Sequence, residues 1–381
     1  MTNPQTQSLL LIAGGGTGGH LYSGLAVAED WCARGGEVLF VGTNYGLEKN
    51  LVPHYGYKLE TVPVSKLKGS SVVVRLKTLV LLPLALVKSL WIMARYRPTA
   101  VLGIGGYASG PMVVAGWICR VPTAIVDQNA IPGLTNRWLG KIAKKVFLAF
   151  DVAGSYFKKE KVRITGNPVL RSRLPAMLGH DESGRDNPRI VPTEYPEITL
   201  LVCGGSQGAH ALNESVMQAF GLISKKFPGL KIIHQAGPTD EALVRKTYAE
   251  MKINAEVCAF IHDLENYYAK ANLVIARSGA GTLTDLSNWG LASILVPYPF
   301  AADDHQRANA RIFVDAGAAL LLEQKNSTPE KLAEMIASLL KDTTRLESMG
   351  QAARLLSRPD AAKLVVDQLL SPFEKGGHRG I

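Results

Sequence analysis

Short, mostly apolar runs recur along the first part of the chain, at residues 9–13, 38–41, 100–104, 123–126, 145–149 and 162–164. Small or polar residues follow each run, and then a stretch with helical spacing, as at residues 23–34. This cadence predicts a parallel sheet wrapped by helices. It stops between residues 168 and 197, where Pro168, Pro175, Pro188, Pro192 and Pro196 sit among polar residues, so a linker or exposed loop is expected there. A second series then begins, with strands predicted at 198–203, 231–234, 256–260, 273–276, 293–296 and 318–322 and a helix at 211–226. The chain closes on helical segments at 329–340, 345–356 and 359–370, and residues 371–381 read as a disordered tail. A length of 381 residues also exceeds one ordinary domain. The expected architecture is α/β, with two similar domains facing a cleft and ligands at the C-terminal ends of the strands.

The residues after the first strand carry the strongest local signal. Gly14-Gly15-Gly16-Thr17-Gly18-Gly19 lets the backbone approach a bound group and aim N–H donors at it, and the following helix adds its positive end. An anion, most often a phosphate, suits such a loop. His20 closes it with a side chain that exchanges a proton near neutral pH. Gly14, Gly16 and Gly19 also match the dinucleotide spacing, but that reading needs an acidic residue at the end of the second strand. The second strand ends in Gly42-Thr43-Asn44 instead, and Glu37 precedes it.

Charge separates the two halves. Of 42 Lys and Arg and 32 Asp and Glu, residues 1–170 hold 19 and 8, a net of +11, which leaves −1 for the rest. Residues 66–97 contain Lys66, Lys68, Arg75, Lys77, Lys88, Arg95 and Arg97 and no acidic side chain. Apolar stretches fill the gaps between them, without the interleaved aromatics that stack on bases. An anionic membrane surface is therefore favoured over nucleic acid. The longest uncharged stretch, 78–87, has ten residues and includes Pro83, too short to span a bilayer. A buried helix with solvated basic edges is the competing reading, and both fit different faces of one helix. Cys32, Cys119, Cys203 and Cys258 are far apart and suggest neither disulfides nor a metal site, as in a reducing cytoplasm. Residues 1–7 are polar and uncharged, so no signal peptide is expected.

Four further segments are too rich in glycine and small polar residues for plain connections. Gly103-Ile104-Gly105-Gly106-Tyr107-Ala108-Ser109-Gly110-Pro111 offers a second anion-binding backbone in the first domain. Asp127-Gln128-Asn129 places a carboxylate and two amides after a strand. Gly204-Gly205-Ser206-Gln207-Gly208-Ala209 repeats the opening glycine loop in the second domain. In Arg277-Ser278-Gly279-Ala280-Gly281-Thr282-Leu283-Thr284-Asp285, small residues open a helix, and Asp285 either accepts both hydroxyls of a ribose or merely complements the helix dipole. Asp303-Asp304-His305-Gln306 adds the amide and imidazole groups that a neutral sugar needs. The adjacent acids lack partners at a strand end, so no metal site is predicted.

Taken in order, GGGTGGH, GIGGYASGP, DQNAIPGLTN, TGNPV, GGSQGAHALN, RSGAGTLTD and DDHQRANA resemble the MurG family of N-acetylglucosaminyltransferases, from about Leu9 to Leu370. The resemblance implies a GT-B fold: two Rossmann-like domains with parallel sheets facing a cleft, and a C-terminal helix (358–370) returning to the N-terminal domain. It implies an N-terminal acceptor and membrane-association domain (1–167) and a C-terminal UDP-GlcNAc domain (198–357). The implied activity is inverting transfer of N-acetylglucosamine from UDP-GlcNAc to lipid I, the undecaprenyl-pyrophosphoryl-N-acetylmuramyl-pentapeptide, at the cytoplasmic face of the plasma membrane. No cofactor and no metal are implied.

Carried over by residue, the resemblance gives Ile261 to uracil, Asp285 to ribose, and Ser206 with Gln207 to the phosphates. Ala280, Gly281, Asn129, His305 and Gln306 go to the sugar, and Thr17, Gly18 and Gly19 also fall on the donor side. Gly15, Gly16, Gly105, Gly106 and Tyr107 would hold the acceptor pyrophosphate. His20, with Asp127 as the second candidate, would deprotonate the acceptor hydroxyl. Some positions depart from the family pattern: Asp127 and Asp285 replace Glu, Leu170 replaces an Arg with Arg171 next to it, Ser23 and Ala292 replace prolines, and His210 replaces an Arg. Three other readings stay open. A GT-B enzyme glycosylating another membrane lipid, of diacylglycerol type, would share the donor domain. A UDP-N-acetylglucosamine 2-epimerase would share the fold but lack the basic apolar segment. An inactive UDP-sugar-binding membrane scaffold would need no base such as His20.

Overall fold

The computed structural model describes residues 8–15, 18–64, 72–175, 198–205, 208–261 and 263–371, with backbone alone for 72–80. Gly16, Thr17, Ser206 and Gln207 lie outside the described residues. So do Lys66, Lys68, most of the expected linker and the expected tail. The chain forms two compact units, Met1–Arg171 with Arg358–Ile381, and Ser172–Ser357.

In the first unit, β1 (Leu9–Ala13), α1 (Gly18–Ala33), β2 (Glu37–Gly42), α2 (Glu48–His54) and β3 (Lys58–Thr61) come first. Then follow α3 (Val72–Tyr96), β4 (Ala100–Gly103), α4 (Ser109–Ile118), β5 (Thr123–Asp127), α5 (Leu134–Ile142), β6 (Lys145–Leu148) and β7 (Val162–Ile164). The second unit opens with β8 (Ile198–Cys203), α6 (His210–Ile223), β9 (Leu230–Gln235), α7 (Glu241–Glu250), β10 (Ala255–Cys258) and α8 (Leu264–Tyr268). It continues with β11 (Leu273–Ala276), α9 (Ala280–Trp289), β12 (Ala292–Leu295), α10 (His305–Asp315), β13 (Ala319–Leu321), α11 (Pro329–Lys341) and α12 (Thr343–Leu355). The last helix, α13 (Ala361–Leu370), belongs to the first unit.

Both sheets are parallel, ordered β3-β2-β1-β4-β5-β6-β7 and β10-β9-β8-β11-β12-β13. Each reverses direction next to its own first strand, between β1 and β4 and between β8 and β11. Such a reversal leaves a crevice beyond the carboxyl ends of the two strands, the usual ligand position in open α/β sheets. The glycine-rich segments singled out in the sequence follow β1, β4, β8 and β11, so they fall at these two points.

Alternation along β1 builds the first core. Leu10 and Ile12 pack with α1 and α13, while Leu11 and Ala13 pack with α3 and α4 on the other face. Burial of Val365, Val366 and Leu369 fixes α13 against α1, at about 2 kcal/mol per side chain. Arg34 to Asp367 at 2.5 Å and Lys145 to the Gln368 carbonyl at 2.6 Å tie its polar side.

Two elements differ from the sequence expectation. β3 is an edge strand of four residues, KLET, too short and polar to stand out. Helix α1 starts at Gly18, five residues earlier than predicted, because Gly18 and Gly19 at the end of the glycine run already lie in its first turn. α3 has two faces. Ala85, Ser89, Ile92 and Met93 are buried, whereas Leu84, Val87 and Trp91 are exposed, with Lys88 Nζ 3.9 Å above the Trp91 ring. Among the described residues no helix is long and apolar enough to cross a membrane.

Candidate functional site

In the first unit the loops after β1 and β4 interlock. Gly15 N–H donates to the Gly105 carbonyl at 3.3 Å, and Gly14 N–H donates to that of Val41 at 3.0 Å. At Gly106, with φ +80°, a side chain would overlap the Gly15 carbonyl oxygen, so the close approach requires glycine there. His20 lies in the first turn of α1 with its ring edge against Gly105, where a Cβ would meet ring atoms at 2.9 Å. Gly15, Gly105, Gly106 and His20 are thus neighbours, and half-buried Tyr107 follows them in the chain. The fully buried Glu48 carboxylate sits behind Gly15, held by the Thr43 N–H at 2.8 Å and hydroxyl at 2.6 Å. Nothing in the sequence around Glu48 marks it as buried.

The loop after β5 joins the same place. Gln128 Nε2 donates to the Gly19 carbonyl at 3.2 Å and to Ser23 Oγ at 2.7 Å, and Ser23 Oγ donates to Asn167 at 2.6 Å. Ser23 therefore links α1 to the TGNPV segment. Asp127 is buried and engaged within its own loop. It accepts from Asn129 N–H at 3.0 Å, Gly133 N–H at 3.2 Å and Asn136 Nδ2 at 2.8 Å. This arrangement makes it a brace of the 127–133 turn, whose Asn129 is half-buried.

In the second unit, the loop after β8 folds back on itself. Gly208 N–H donates to the Gly205 carbonyl at 2.9 Å, and Gln235 Nε2 donates to the same oxygen at 2.9 Å. Gly208 has φ +73°, and a Cβ there would overlap the Ala236 carbonyl. Beneath the loop, His210 meets Asp240 at 3.1 Å, which raises the imidazole pKa. Asn213 donates to Asp240 at 2.8 Å and accepts from His234 Nε2 at 3.0 Å. Burial holds His234 neutral, its pKa lowered to about 3, while its Nδ1 accepts from the Tyr248 hydroxyl at 2.9 Å.

The segment after β11 gathers several predicted residues. Arg277 is buried and donates to the Val296 and Pro297 carbonyls and to Gln324, so it braces the strand ends. Ser278 Oγ donates to the Gln306 carbonyl at 2.8 Å, which places the start of α10 beside the start of α9. Gln306 Oε1 accepts from Tyr298 N–H at 2.9 Å, and His305 Nδ1 donates to the Ala302 carbonyl at 2.7 Å. At Gly279 and Gly281, at the start of α9, nothing lies within 4 Å of where a Cβ would sit, so the chain there is open on that side. Ile261 is buried just after β10.

Asp285 lies in the second turn of α9 and is only 4% exposed. Arg173 donates to its Oδ2 at 2.6 Å, and the Tyr268 hydroxyl also bonds to it. Burial pushes its pKa up to about 6 against the opposing pull of Arg173. The sequence reading missed Arg173, which lies 112 residues away along the chain. Arg171, within the first unit, pairs with Asp30 at 3.1 Å. No group of three or more His, Cys, Asp or Glu able to hold a metal occurs among the described residues.

Residues 10–148 match the glycosyltransferase family 28 N-terminal domain, and residues 199–365 match the C-terminal domain of that family. A UDP-N-acetylglucosamine–N-acetylmuramyl-(pentapeptide) pyrophosphoryl-undecaprenol N-acetylglucosamine transferase of Myxococcus xanthus is 45% identical, across 94% of this chain and 91% of its own. The crystal structure of Acinetobacter baumannii MurG superimposes with a TM-score of 0.75 at 30% identity, covering 95% of this chain and 99% of that one. A UDP-N-acetylglucosamine 2-epimerase structure shares the fold alone, with a TM-score of 0.65 at 14% identity over 96% of each chain.

Proposed function

The chain belongs to the MurG family within glycosyltransferase family 28, and from that premise we propose how its residues share the reaction. The reaction is transfer of N-acetylglucosamine from UDP-GlcNAc to lipid I, which forms lipid II for peptidoglycan. The first unit takes the acceptor. We assign the pyrophosphate to Gly15, Gly16, Gly105, Gly106 and Tyr107, with the Gly15 N–H itself engaged by the Gly105 carbonyl where the two loops interlock. His20 is held against Gly105 within the same cradle, and that juxtaposition of proton acceptor and anion-binding backbone is the observation that carries the reading. Asp127 supports the loop and leaves the base to His20, because its oxygens already serve three donors.

The second unit takes the donor. Ile261 receives the uracil through its main chain, Asp285 the ribose, Ser206 and Gln207 the diphosphate, and Ala280, Gly281, His305 and Gln306 the sugar. The family resemblance assigns Asn129, Thr17, Gly18 and Gly19 to the donor as well. As His20 removes the proton of the acceptor hydroxyl, its oxygen forms the new bond to the anomeric carbon. The bond from that carbon to the UDP oxygen breaks, and the diphosphate leaves with the electron pair. N–H groups of the glycine loop and helix start oppose the developing charge, and attack opposite the leaving group inverts the α-linked donor to a β-1,4 product. The exposed Leu84, Val87 and Trp91 face of α3, with Lys88 and Arg95, rests on anionic lipid at the cytoplasmic face of the plasma membrane. His20→Ala tests the assignment. Transfer to lipid I should fall at least about 100-fold while UDP binding persists; near-normal transfer would remove His20 from the base role.

A further inference from the structure

We propose that Arg173 is a positioning residue for donor recognition, fixing the Asp285 carboxylate in the orientation that receives the ribose hydroxyls; this rests on the reading of Asp285 as the ribose ligand. Two contacts define the arrangement. The Arg173 carbonyl accepts from Trp289 Nε1 at 3.1 Å, and its guanidinium donates to Asp285 Oδ2 at 2.6 Å. Asp285 and Trp289 are four residues apart on α9, hence on one face, and the turn that carries Arg173 lies along that face. Trp289 already holds the main chain of that turn, so the ion pair is not needed to dock it.

Stability alone explains the pair poorly. Removing a carboxylate and a guanidinium from water largely offsets their attraction, and an apolar residue would fill the same volume at little cost. The carboxylate gains more than the fold does. Without a cation beside it, its burial favours the neutral form, in which one acceptor oxygen becomes a donor. With Arg173 and the Tyr268 hydroxyl as donors, about two of the roughly four lone-pair sites of the carboxylate are taken. Those left match the two hydroxyls of a vicinal diol. Arg173 is 24% exposed at its side chain against 5% for Asp285, so it is the more solvent-accessible partner of the pair.

The test is discrimination between UDP and 2′-deoxy-UDP, titrated calorimetrically into the full-length protein at neutral pH. The wild type should prefer UDP by about tenfold, the effect of one hydrogen bond to a charged group. Arg173→Met and Arg173→Gln should bring the ratio toward unity, and Arg173→Lys, which keeps the cation, should restore part of it. Gln keeps polar donors at that position, so the reading survives if the Met variant fails to fold. A wild-type ratio in either folded neutral variant, with the ratio lost in Asp285→Asn, would overturn the role of Arg173 alone. A wild-type ratio in Asp285→Asn as well would overturn the ribose assignment beneath it.

Discussion

Replacing Gly106 by alanine probes the interlocked loops directly. Gly106 holds φ +80°, where an L-residue costs about 1–2 kcal/mol, and its Cβ would also overlap the Gly15 carbonyl oxygen, with the Gly15 carbonyl carbon and nitrogen at 3.1 Å. No rotamer change relieves a clash with backbone, so the two loops must separate by about 1 Å to regain ordinary contact. A displacement of that size in a reacting group costs about 100-fold in rate. Gly56 supplies the control: its φ is +79° and nothing lies within 4 Å of a Cβ there. Gly56→Ala should lose a similar 1–2 kcal/mol of stability, read by thermal or urea unfolding, and keep full activity. Gly106→Ala should lose turnover about 100-fold in initial-rate assays with saturating UDP-GlcNAc, while UDP affinity stays at the wild-type value. A folded Gly106→Ala protein with normal rate and normal KM for lipid I would refute the claim that these loops form the acceptor cradle.

Asp285 makes donor binding and fold stability respond to acid in opposite directions. Its folded pKa of about 6 lies above the ordinary 3.8, so the fold gains relative stability below 3.8 and loses it as pH rises through about 6. Ribose hydroxyls need the ionised carboxylate, so affinity for UDP-GlcNAc, whose phosphate diesters do not titrate there, should fall as pH drops through about 6. Calorimetric titration across that range checks this, and Asp285→Asn should bind weakly and without that pH dependence; an unchanged profile in the variant would contradict the assignment. For the membrane face, Lys88→Glu with Arg95→Glu should weaken sedimentation with anionic vesicles by more than about 30-fold, since each basic residue contributes about 1 kcal/mol. Undiminished binding of that double variant would leave the exposed face of α3 without a membrane role.

What the sequence made legible was local and repeated. Strand β1 and its glycine loop, β8 and its counterpart, and β11 with the α9 start each combine an apolar run with glycine within a dozen residues, and the fold places them at the two points where strand order reverses. The contacts that shape the site are long-range. Arg173 with Asp285 and Ser23 with Asn167 join residues more than a hundred positions apart, and no periodicity announces them. Glu48 reads as a surface residue in LEKN, yet packing of α2 beneath the β1 loop buries its carboxylate completely. The bonds of Asp127 to Asn129, Gly133 and Asn136 likewise depend on the folded 127–133 turn, and the sequence shows only a carboxylate after a strand.

Transfer of labelled N-acetylglucosamine from UDP to lipid I in detergent, with diacylglycerol as the competing acceptor, tests the central claim most directly. Wild-type protein should label lipid I alone, and His20→Ala should leave it unlabelled while still binding UDP. Label on diacylglycerol would contradict the acceptor, and no transfer by a wild-type protein that binds UDP-GlcNAc would contradict the activity.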